Sequence, residues 1–285
     1  MENQSKWISV YIFHQTSFEK IINELIKLII EDLELNGFIS KYFFIRYWEN
    51  GSHLRLRILP KNGLYAETIN EKIIQLTNNY FEKQNNEMSY RLEFSEYIRE
   101  LDRYGGIENI ENAEKIFDLS SRIVINMIEE KYLSWEYSLA ISNAIKINLL
   151  FAKCFFSYDR KLIIDFFKKI YSNWLYYSIK LDGDIIEEEV KKINLYYEKS
   201  YQKQKFSIKI LVNSIFNFHF EIKNKVSWDY ECEMILKNNF FSIETFEKKY
   251  ILYDSLIHMN NNRLGIHNRD ESFIAYLIFN CLEDL

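Results

Sequence analysis

Alternating apolar and polar residues in the stretch Lys41–Arg57 predict a β-hairpin. Its second half alternates three aliphatic with three basic residues: Leu54, Leu56 and Ile58 against His53, Arg55 and Arg57. Because side chains of a strand point alternately to the two faces of a sheet, the three basic residues share one face. Asn50-Gly51 is typical of a two-residue type I′ turn between the strands.

The assumed turn decides which residues of the two strands face each other. A two-residue loop at Asn50-Gly51 places Trp48 opposite His53 and Arg46 opposite Arg55. Like charges directly opposed across a sheet are destabilising, so this register predicts a basic cluster that binds an anion. The alternative is an amphipathic hairpin with a solvated basic face.

Arginine usage favours the anion site over the solvated face. The chain contains 26 Lys and 10 Arg, and three of the ten Arg fall within residues 46–57. Arg presents a planar fork of donors that matches a carboxylate or a phosphate, and Lys does not. We therefore predict that this hairpin binds a carboxylate-bearing substrate.

The segments around the hairpin predict an α+β start to the chain. Two further strands are predicted at Trp7–His14 and Met88–Phe94, and two helices at about Phe18–Leu35 and Ala66–Phe81. The resulting order over residues 1–100 is β-α-β-β-α-β, the split βαβ of ferredoxin-like units.

After Gly105-Gly106 the apolar spacing is helical. The predicted helices lie at about 111–132, 134–156, 159–180, 186–203, 206–222, 243–259 and 270–283. Phe206–Phe220 fits either a helix or a strand, Asp182–Asp184 is a break, and the polar stretch Met259–Asn268 is predicted to be a loop. We predict a single domain over residues 1–285, with a sheet-bearing part (1–106) packed on a larger, mainly helical part (107–285).

Composition excludes several classes of function. The net charge of −5 provides no basic field for nucleic acid. The cysteines Cys154, Cys232 and Cys281 are scattered without a CxxC pair, so we expect free thiols, no metal site and no cofactor. No apolar run reaches the length of a membrane span, and the N-terminus lacks a signal-peptide core. We expect a soluble, cytoplasmic protein; a homodimer is left open.

Two further motifs carry candidate chemistry. Glu100–Gly106 places Arg103 and Tyr104 before a double glycine, which allows a sharp turn. His258–Gly265 is predicted to place His258 at a helix end and Arg263 in the adjoining loop. Taken alone, Arg103 could simply pair with Glu100, and His258 could be a core histidine.

Five segments together resemble the C-terminal elimination module of class I lantibiotic dehydratases, which also occurs as a free-standing thiopeptide-type bacteriocin biosynthesis protein. The segments that carry this resemblance cover nearly the whole chain: Phe44–Trp48, His53–Arg57, Glu100–Gly106, Ala113–Phe117 with Ser120, and His258–Gly265. One departure is Leu119, which stands where the family has an acid; Asp118 lies one position earlier.

The resemblance implies a β-elimination. A separate glutamylation protein esterifies Ser or Thr of a ribosomal precursor peptide from glutamyl-tRNA, and the module then removes glutamate to leave dehydroalanine or dehydrobutyrine. The chain is too short to hold the glutamylation domain as well, so we expect the eliminating half of a split dehydratase. By the family match, the catalytic residues are Arg57, Arg103 and His258. Supporting and substrate-binding roles fall to Arg55, His53, Glu100, Tyr104 and Arg263.

Three alternatives stay open. A pyridine synthase of thiopeptide assembly has the same fold and performs a formal [4+2] cycloaddition, but would not need the full Arg/Arg/His set. A ligase-type dehydratase homologue depends on a large N-terminal domain. A non-catalytic partner could hold the precursor peptide as an added strand, and Arg57, Arg103 and His258 would then not have to converge.

Overall fold

The computed structural model describes residues 7–84, 89–179, 185–216 and 245–285. The chain divides into two compact units, Met1–Glu136 and Tyr137–Leu285, and each is described by itself. The first unit carries a four-stranded antiparallel sheet, and helices make up most of both units, which confirms the α+β class.

The first unit orders its strands β2-β3-β1-β4. The strands are β1 (Ile8–Phe13), β2 (Ile39–Tyr47), β3 (His53–Pro60) and β4 (Arg91–Phe94). The helices are α1 (Phe18–Ile21), a π-helical segment (Ile22–Ile26), α2 (Lys27–Leu35), α3 (Ala66–Lys83) and α4 (Ile107–Lys131). Ser17 begins α1 by accepting a hydrogen bond from the backbone N–H of Lys20, and Gly37, at φ 70°, follows the end of α2.

One face of the sheet forms the core of the first unit. The aliphatic residues that alternate along β1 and β3 are fully buried: Val10, Ile12, Leu54, Leu56 and Ile58. This burial confirms the face assignment that the alternation of β3 predicts. His53, Arg55 and Arg57 consequently project from the opposite face.

The predicted two-residue turn is wrong. Tyr47 lies opposite His53, so five residues join the strands, although Asn50 and Gly51 do have positive φ of 59° and 110°. A register change of one residue moves a side chain to the other face. Arg46 therefore lies opposite Leu54 on the buried face, not opposite Arg55, and the predicted Arg46–Arg55 cluster does not form.

Helix α4 covers the outer edge of β2. The backbone N–H of Tyr42 donates to Oδ1 of Asp118 at 3.0 Å, and that of Phe44 donates to Oγ of Ser121 at 3.3 Å. Edge strands expose such N–H groups to unwanted pairing. Although the sequence places α4 in the helical part, it packs on the sheet and belongs to the first unit.

The described part of the second unit is helical. It contains α5 (Tyr137–Phe155), α6 (Arg160–Ser178), α7 (Ile185–Phe216), α8 (Phe246–Leu264) and α9 (Asn268–Glu283). The predicted interruption between residues 203 and 206 is absent, since α7 is continuous there. The break at Asp182–Asp184, Met88 and Cys232 lie outside the described residues, as do parts of the predicted helices 206–222 and 243–259.

The predicted loop Met259–Asn268 is also wrong. Helix α8 continues to Leu264 and ends at Gly265, whose φ of 84° closes the C-terminus. Three of the polar residues that suggested a loop, Asn260, Asn261 and Arg263, are buried inside the unit, and Asn261, at 1% exposure, is hydrogen-bonded to Glu271. Polarity here reflects an internal network instead of solvent exposure.

Within the described ranges, α5 is the helix long and apolar enough to cross a membrane by length and composition. About two-thirds of it (67%) is buried inside the structure, where it packs against α7 and α8. This burial is typical of a core helix. Cys154 at its end is a buried free thiol, as is Cys281 in α9.

Candidate functional site

The basic face of the sheet, defined here as the surface around His53, Arg55 and Arg57, brings three predicted residues together. Their cross-strand neighbours are mainly aromatic: Tyr47, Ile45 and Phe43 on β2, and Phe13, Tyr11 and Ser9 on β1. Aromatic rings around guanidinium groups provide cation–π contacts while limiting access of water. The face is therefore suited to an anion held among aromatic rings.

His53 is held as a neutral imidazole. Its Nδ1 lies 2.8 Å from the carbonyl oxygen of Gly51, which can only accept, so Nδ1 carries the proton. The other nitrogen, Nε2, accepts from Nε of Arg55 at 3.2 Å. Burial lowers the pKa of His53, and the nearby Arg55 charge lowers this pKa further. His53 thus orients Arg55 rather than contributing charge.

Arg55 is fixed against two tyrosine rings. Its guanidinium carbon lies 3.4 Å from the ring centroid of Tyr47 and 4.7 Å from that of Tyr11. Stacking of this kind stabilises a guanidinium by roughly 0.5–2 kcal/mol and restricts its orientation. Arg55 is only half-buried, so it adds positive charge to the face where solvent can still reach it.

Arg57 is the buried cation of the basic face. It is 4% exposed, and its guanidinium carbon lies 5.2 Å from the ring centroid of Tyr11 and 5.5 Å from that of Tyr97. Among the residues that the structure describes, its Nε and Nη1 have no hydrogen-bond partner. Burial lowers the pKa of Arg57, but a guanidinium remains charged in proteins. A buried donor left unpaired costs about 1–3 kcal/mol, which a bound anion would offset.

Tyr11 reports the positive potential of this face. Burial raises its pKa, but the hydrogen bond with Ser95 and the charges of Arg57 and Arg55 lower it by more in total. The net result is a pKa below the ordinary value for a tyrosine. After the hydrogen bond with Ser95, the charges of Arg57 and Arg55 are the next contributions to this lower pKa.

The second motif forms a tight turn before α4. Arg103 lies in this turn, and its Nη1 is 3.1 Å from Oε2 of Glu100, with both side chains exposed. Gly105 and Gly106 have φ of 79° and 88°, which explains the double glycine. The predicted Arg103–Glu100 pair is therefore present at the surface of the first unit.

Tyr104 ties this turn to the basic face. It is 4% exposed, and its ring packs edge-on against that of Phe117, with ring centroids 5.1 Å apart. The ring centroid of Phe43 lies 5.2 Å from that of Phe117 and 5.5 Å from that of Tyr97. The Tyr97 ring in turn lies beside the guanidinium of Arg57. A continuous row of rings thus links the Arg103 turn to Arg57. Burial of Tyr104 in this row supports an anchoring role.

His258 belongs to a hydrogen-bonded network in the second unit. Its Nδ1 lies 2.6 Å from Oε1 of Glu271, and its ring stacks on Trp174 with centroids 4.8 Å apart. Oε2 of Glu271 accepts from Asn261, whose side-chain oxygen accepts from Asn148. Because Nδ1 is hydrogen-bonded to the carboxylate, Nε2 of the partly exposed imidazole is the nitrogen available for proton transfer.

Sequence reasoning missed Glu271 and Trp174. Glu271 stands in the first turn of α9, where an acid is expected merely to interact favourably with the helix dipole. Its 2% exposure is the informative feature, because a carboxylate that deeply buried requires a partner. Only the packing of α8, α9 and α6 reveals that this partner is His258.

The predicted position of Arg263 is wrong. It lies in the last turn of α8, not in a loop, and is 0% exposed. Its Nη1 donates to the backbone oxygen of Met259 at 3.0 Å. Such burial supports a role inside the second unit. Of the predicted catalytic residues, Arg57 and Arg103 lie in the first unit and His258 in the second.

A pocket of about 230 Å³ lies elsewhere in the first unit. Its lining includes Lys27 and Arg122, which form ion pairs with Glu129 and Glu34. Because these cations already form ion pairs with carboxylates, they are less suited than Arg57 to bind an incoming anion. None of the predicted catalytic residues lines it.

Comparisons with known proteins agree over nearly the whole chain. The sequence model of the family described as lantibiotic biosynthesis dehydratase C-term matches residues 7–282. The nisin biosynthesis protein NisB of Lactococcus lactis subsp. lactis is 26% identical over 289 residues, which covers 97% of this chain and 25% of NisB. The chain thus spans about a quarter of that relative's length.

Two solved structures share the fold. The pyridine synthase TbtD from thiomuracin biosynthesis has a TM-score of 0.69 at 11% identity, covering 99% of both chains. The tRNA-dependent lantibiotic dehydratase MibB from Microbispora sp. 107891 has a TM-score of 0.61 at 15% identity, covering all of this chain and 28% of MibB. At these identities the similarity extends to the fold alone.

Proposed function

Because the chain belongs to the family of lantibiotic biosynthesis dehydratase C-terminal domains, we propose that it eliminates glutamate from glutamylated Ser or Thr of a precursor peptide. The family match confirms the resemblance drawn from the five sequence segments. The products of the proposed reaction are dehydroalanine or dehydrobutyrine and free glutamate.

The proposed reaction makes three chemical demands. The Cα–H bond breaks and its electrons form the Cα–Cβ double bond, while the Cβ–O bond breaks and its electrons leave with the glutamate carboxylate. A group must therefore accept the α-proton. Enolate-like charge on the peptide carbonyl and negative charge on the departing glutamate must both be stabilised.

The observation that carries the proposal is the buried guanidinium of Arg57. Its Nε and Nη1 have no partner among the described residues, and it lies beside Arg55 and two tyrosine rings. A buried guanidinium with N–H groups left for a ligand suits an anionic group such as a carboxylate. Arg57 is assigned to hold the glutamyl group, and Arg55 adds positive charge without binding directly. Arg103, paired with Glu100 at the surface, is assigned to stabilise charge once substrate displaces that pair.

His258 is assigned as the proton acceptor. With Nδ1 hydrogen-bonded to Glu271, the neutral ring presents Nε2 to substrate, and the carboxylate stabilises the imidazolium that forms. Glu271 is thus a positioning residue. A positioned general base contributes about 10²–10⁴ in rate.

The partners follow from the same reaction. The substrate is a glutamylated precursor peptide, and a separate tRNA-dependent glutamylation protein is proposed to install the ester. No direct contact with nucleic acid is required of this chain, since the tRNA takes part only in the earlier step. Both reactions are proposed to take place in the cytoplasm.

A synthetic peptide with one glutamylated Ser tests the function. Mass spectrometry after incubation with the chain is expected to show loss of glutamic acid and formation of dehydroalanine, and the His258→Ala variant is expected to show neither. Intact ester with the wild-type chain would reject elimination. A second peptide that already carries two dehydroalanines then separates the remaining candidates, because cyclisation indicates a pyridine synthase and binding without reaction indicates a scaffold.

A further inference from the structure

Three neighbouring side chains at one end of the basic face each bury a polar atom that has no hydrogen-bond partner among the described residues. These atoms are Nε1 of Trp7, Oγ of Ser9, and Nε with Nη1 of Arg57. The three residues are 6%, 3% and 4% exposed. Buried polar atoms in proteins are ordinarily paired, so adjacent exceptions require a common explanation.

The sheet places the three side chains together. Ser9 is the cross-strand partner of Arg57 in the β1–β3 register, and Phe43 is its partner on β2. The Trp7 ring contacts Phe43 at 5.1 Å and Tyr97 at 6.1 Å. The three side chains therefore lie on the same part of the basic face, and Tyr97 is a shared neighbour of Trp7 and Arg57.

The chemistry of this donor set is that of an anion site. The indole N–H and the guanidinium can only donate, and the serine hydroxyl can donate as well. The nearby acids are engaged elsewhere, since Glu114 forms a bidentate pair with Arg99 and Glu93 pairs with Arg91. Flat aromatic surroundings suit a planar carboxylate on an aliphatic stem.

We propose that Trp7, Ser9 and Arg57 form a subsite for the side-chain carboxylate of the glutamyl group. The inference rests on the proposed elimination and deepens it. In an ester made from an aminoacyl-tRNA, the α-carboxyl is the linked group, so the γ-carboxylate stays ionised and identifies the residue as glutamate. Trp7 and Ser9 are then specificity-determining residues that recognise the leaving group at a distance from the reacting bond.

Two substrates that differ only at the γ-position test the subsite. One peptide carries Ser esterified through the α-carboxyl of glutamate, and the other carries the glutamine ester, which has a neutral carboxamide. Wild-type chain is expected to prefer the glutamate ester by about 100-fold in kcat/KM, because a site built for hydrogen bonds discriminates strongly against a mismatched group.

Ser9→Ala and Trp7→Phe each remove one donor and keep the surrounding packing. Either substitution is expected to reduce the preference about tenfold, mainly through the KM of the glutamate ester. Thr77→Val is the matched control, since Thr77 also has a buried hydroxyl without a partner among the described residues but lies on α3. An unchanged preference in both subsite variants overturns the inference.

Binding of glutarate separates this inference from the proposed function. If neither ester reacts, calorimetry with glutarate, a dicarboxylate without a reactive ester, still reports on the subsite. About tenfold weaker binding to Ser9→Ala than to wild type and Thr77→Val supports the subsite. Equal binding to all three proteins, or none to wild type, overturns it.

Discussion

Oε1 of Glu271 lies 2.6 Å from Nδ1 of His258, which makes a buried carboxylate the partner of the proposed base. Replacing Glu271 with Gln keeps the size of the side chain and removes its charge. We expect kcat for glutamate elimination to fall about 10–100-fold with KM nearly unchanged, as for other residues that orient a reacting group.

The matching test uses His258→Ala. Exogenous imidazole is expected to restore part of the elimination rate of this variant, because the small base can occupy the space of the missing ring. Glu271→Gln, which keeps the ring, should gain nothing from imidazole. Equal responses of the two variants to imidazole would show that His258 and Glu271 do not have these separate roles.

Arg57→Lys tests whether the planar donor fork is needed. Lys keeps the charge but not the paired N–H geometry, so kcat/KM for the glutamate ester should fall about 10²–10³-fold. Arg91→Lys is the control: Arg91 also carries a guanidinium over an aromatic ring on this sheet, but it is exposed and paired with Glu93. Similar losses in both variants would argue for a general charge effect.

The buried Arg46–Glu19 pair is predicted to stabilise the fold without serving the reaction. Nη1 of Arg46 lies 2.6 Å from Oε1 of Glu19, and Arg46 is 2% exposed. Glu19→Gln leaves a buried guanidinium charge without its counter-ion. The free energy of unfolding in urea should fall by about 2–3 kcal/mol, at or below the lower end for a broken buried pair because Glu19 is partly exposed.

Activity measured on the same Glu19→Gln protein distinguishes this role from a catalytic one. Below the unfolding temperature, kcat/KM is expected to stay within about twofold of wild type. A large loss would show that Arg46 contributes to the site after all, although Arg46 and Arg55 lie on opposite faces of the sheet.

The lowered pKa of His53 predicts a stability that depends on pH. The unfolded chain binds a proton at His53 near the ordinary pKa, whereas the folded chain binds it only at a lower pH. The contribution of His53 to the free energy of unfolding is therefore fully present above about pH 6.5. It decreases as the pH falls towards the pKa of the folded state, by at most about 1.4 kcal/mol per pH unit.

Urea unfolding at pH 7.5 and pH 5.5 measures this dependence. His53→Gln, which can still donate and accept hydrogen bonds, should lose less stability between the two pH values than wild type does. His14, whose pKa burial also lowers, will leave a remaining dependence in the variant. Identical pH dependence in both proteins would contradict the neutral assignment of His53.

The alternation of β3 was sufficient to predict the buried and basic faces of the sheet. It could not predict the register of the hairpin, because Asn50-Gly51 is compatible with both a two-residue and a longer connection. In the observed register Arg46 pairs with Glu19, which lies in a different element and so is not visible in the hairpin sequence. The ferredoxin-like assignment stays a prediction.

In the second unit, local sequence composition predicts the wrong secondary structure. A run of asparagines before Arg263 has the composition of a loop, yet it lies inside α8. One of them, Asn261, takes part in a buried network whose other members, Asn148 and Glu271, come from distant parts of the sequence. Local patterns carry no information about such partners. The family motif makes His258 a candidate, whereas only the packing shows that Glu271 is its partner.

The hydrogen bonds from β2 to Asp118 and Ser121 have a consequence for synthesis of the chain. The stretch Tyr42–Tyr47 is aromatic and β-prone, features typical of segments that aggregate when their edge is exposed. Its protection comes from residues 76 and 77 positions later in the chain. During translation this strand edge therefore stays uncovered until α4 has left the ribosome, and chains that terminate before α4 should aggregate.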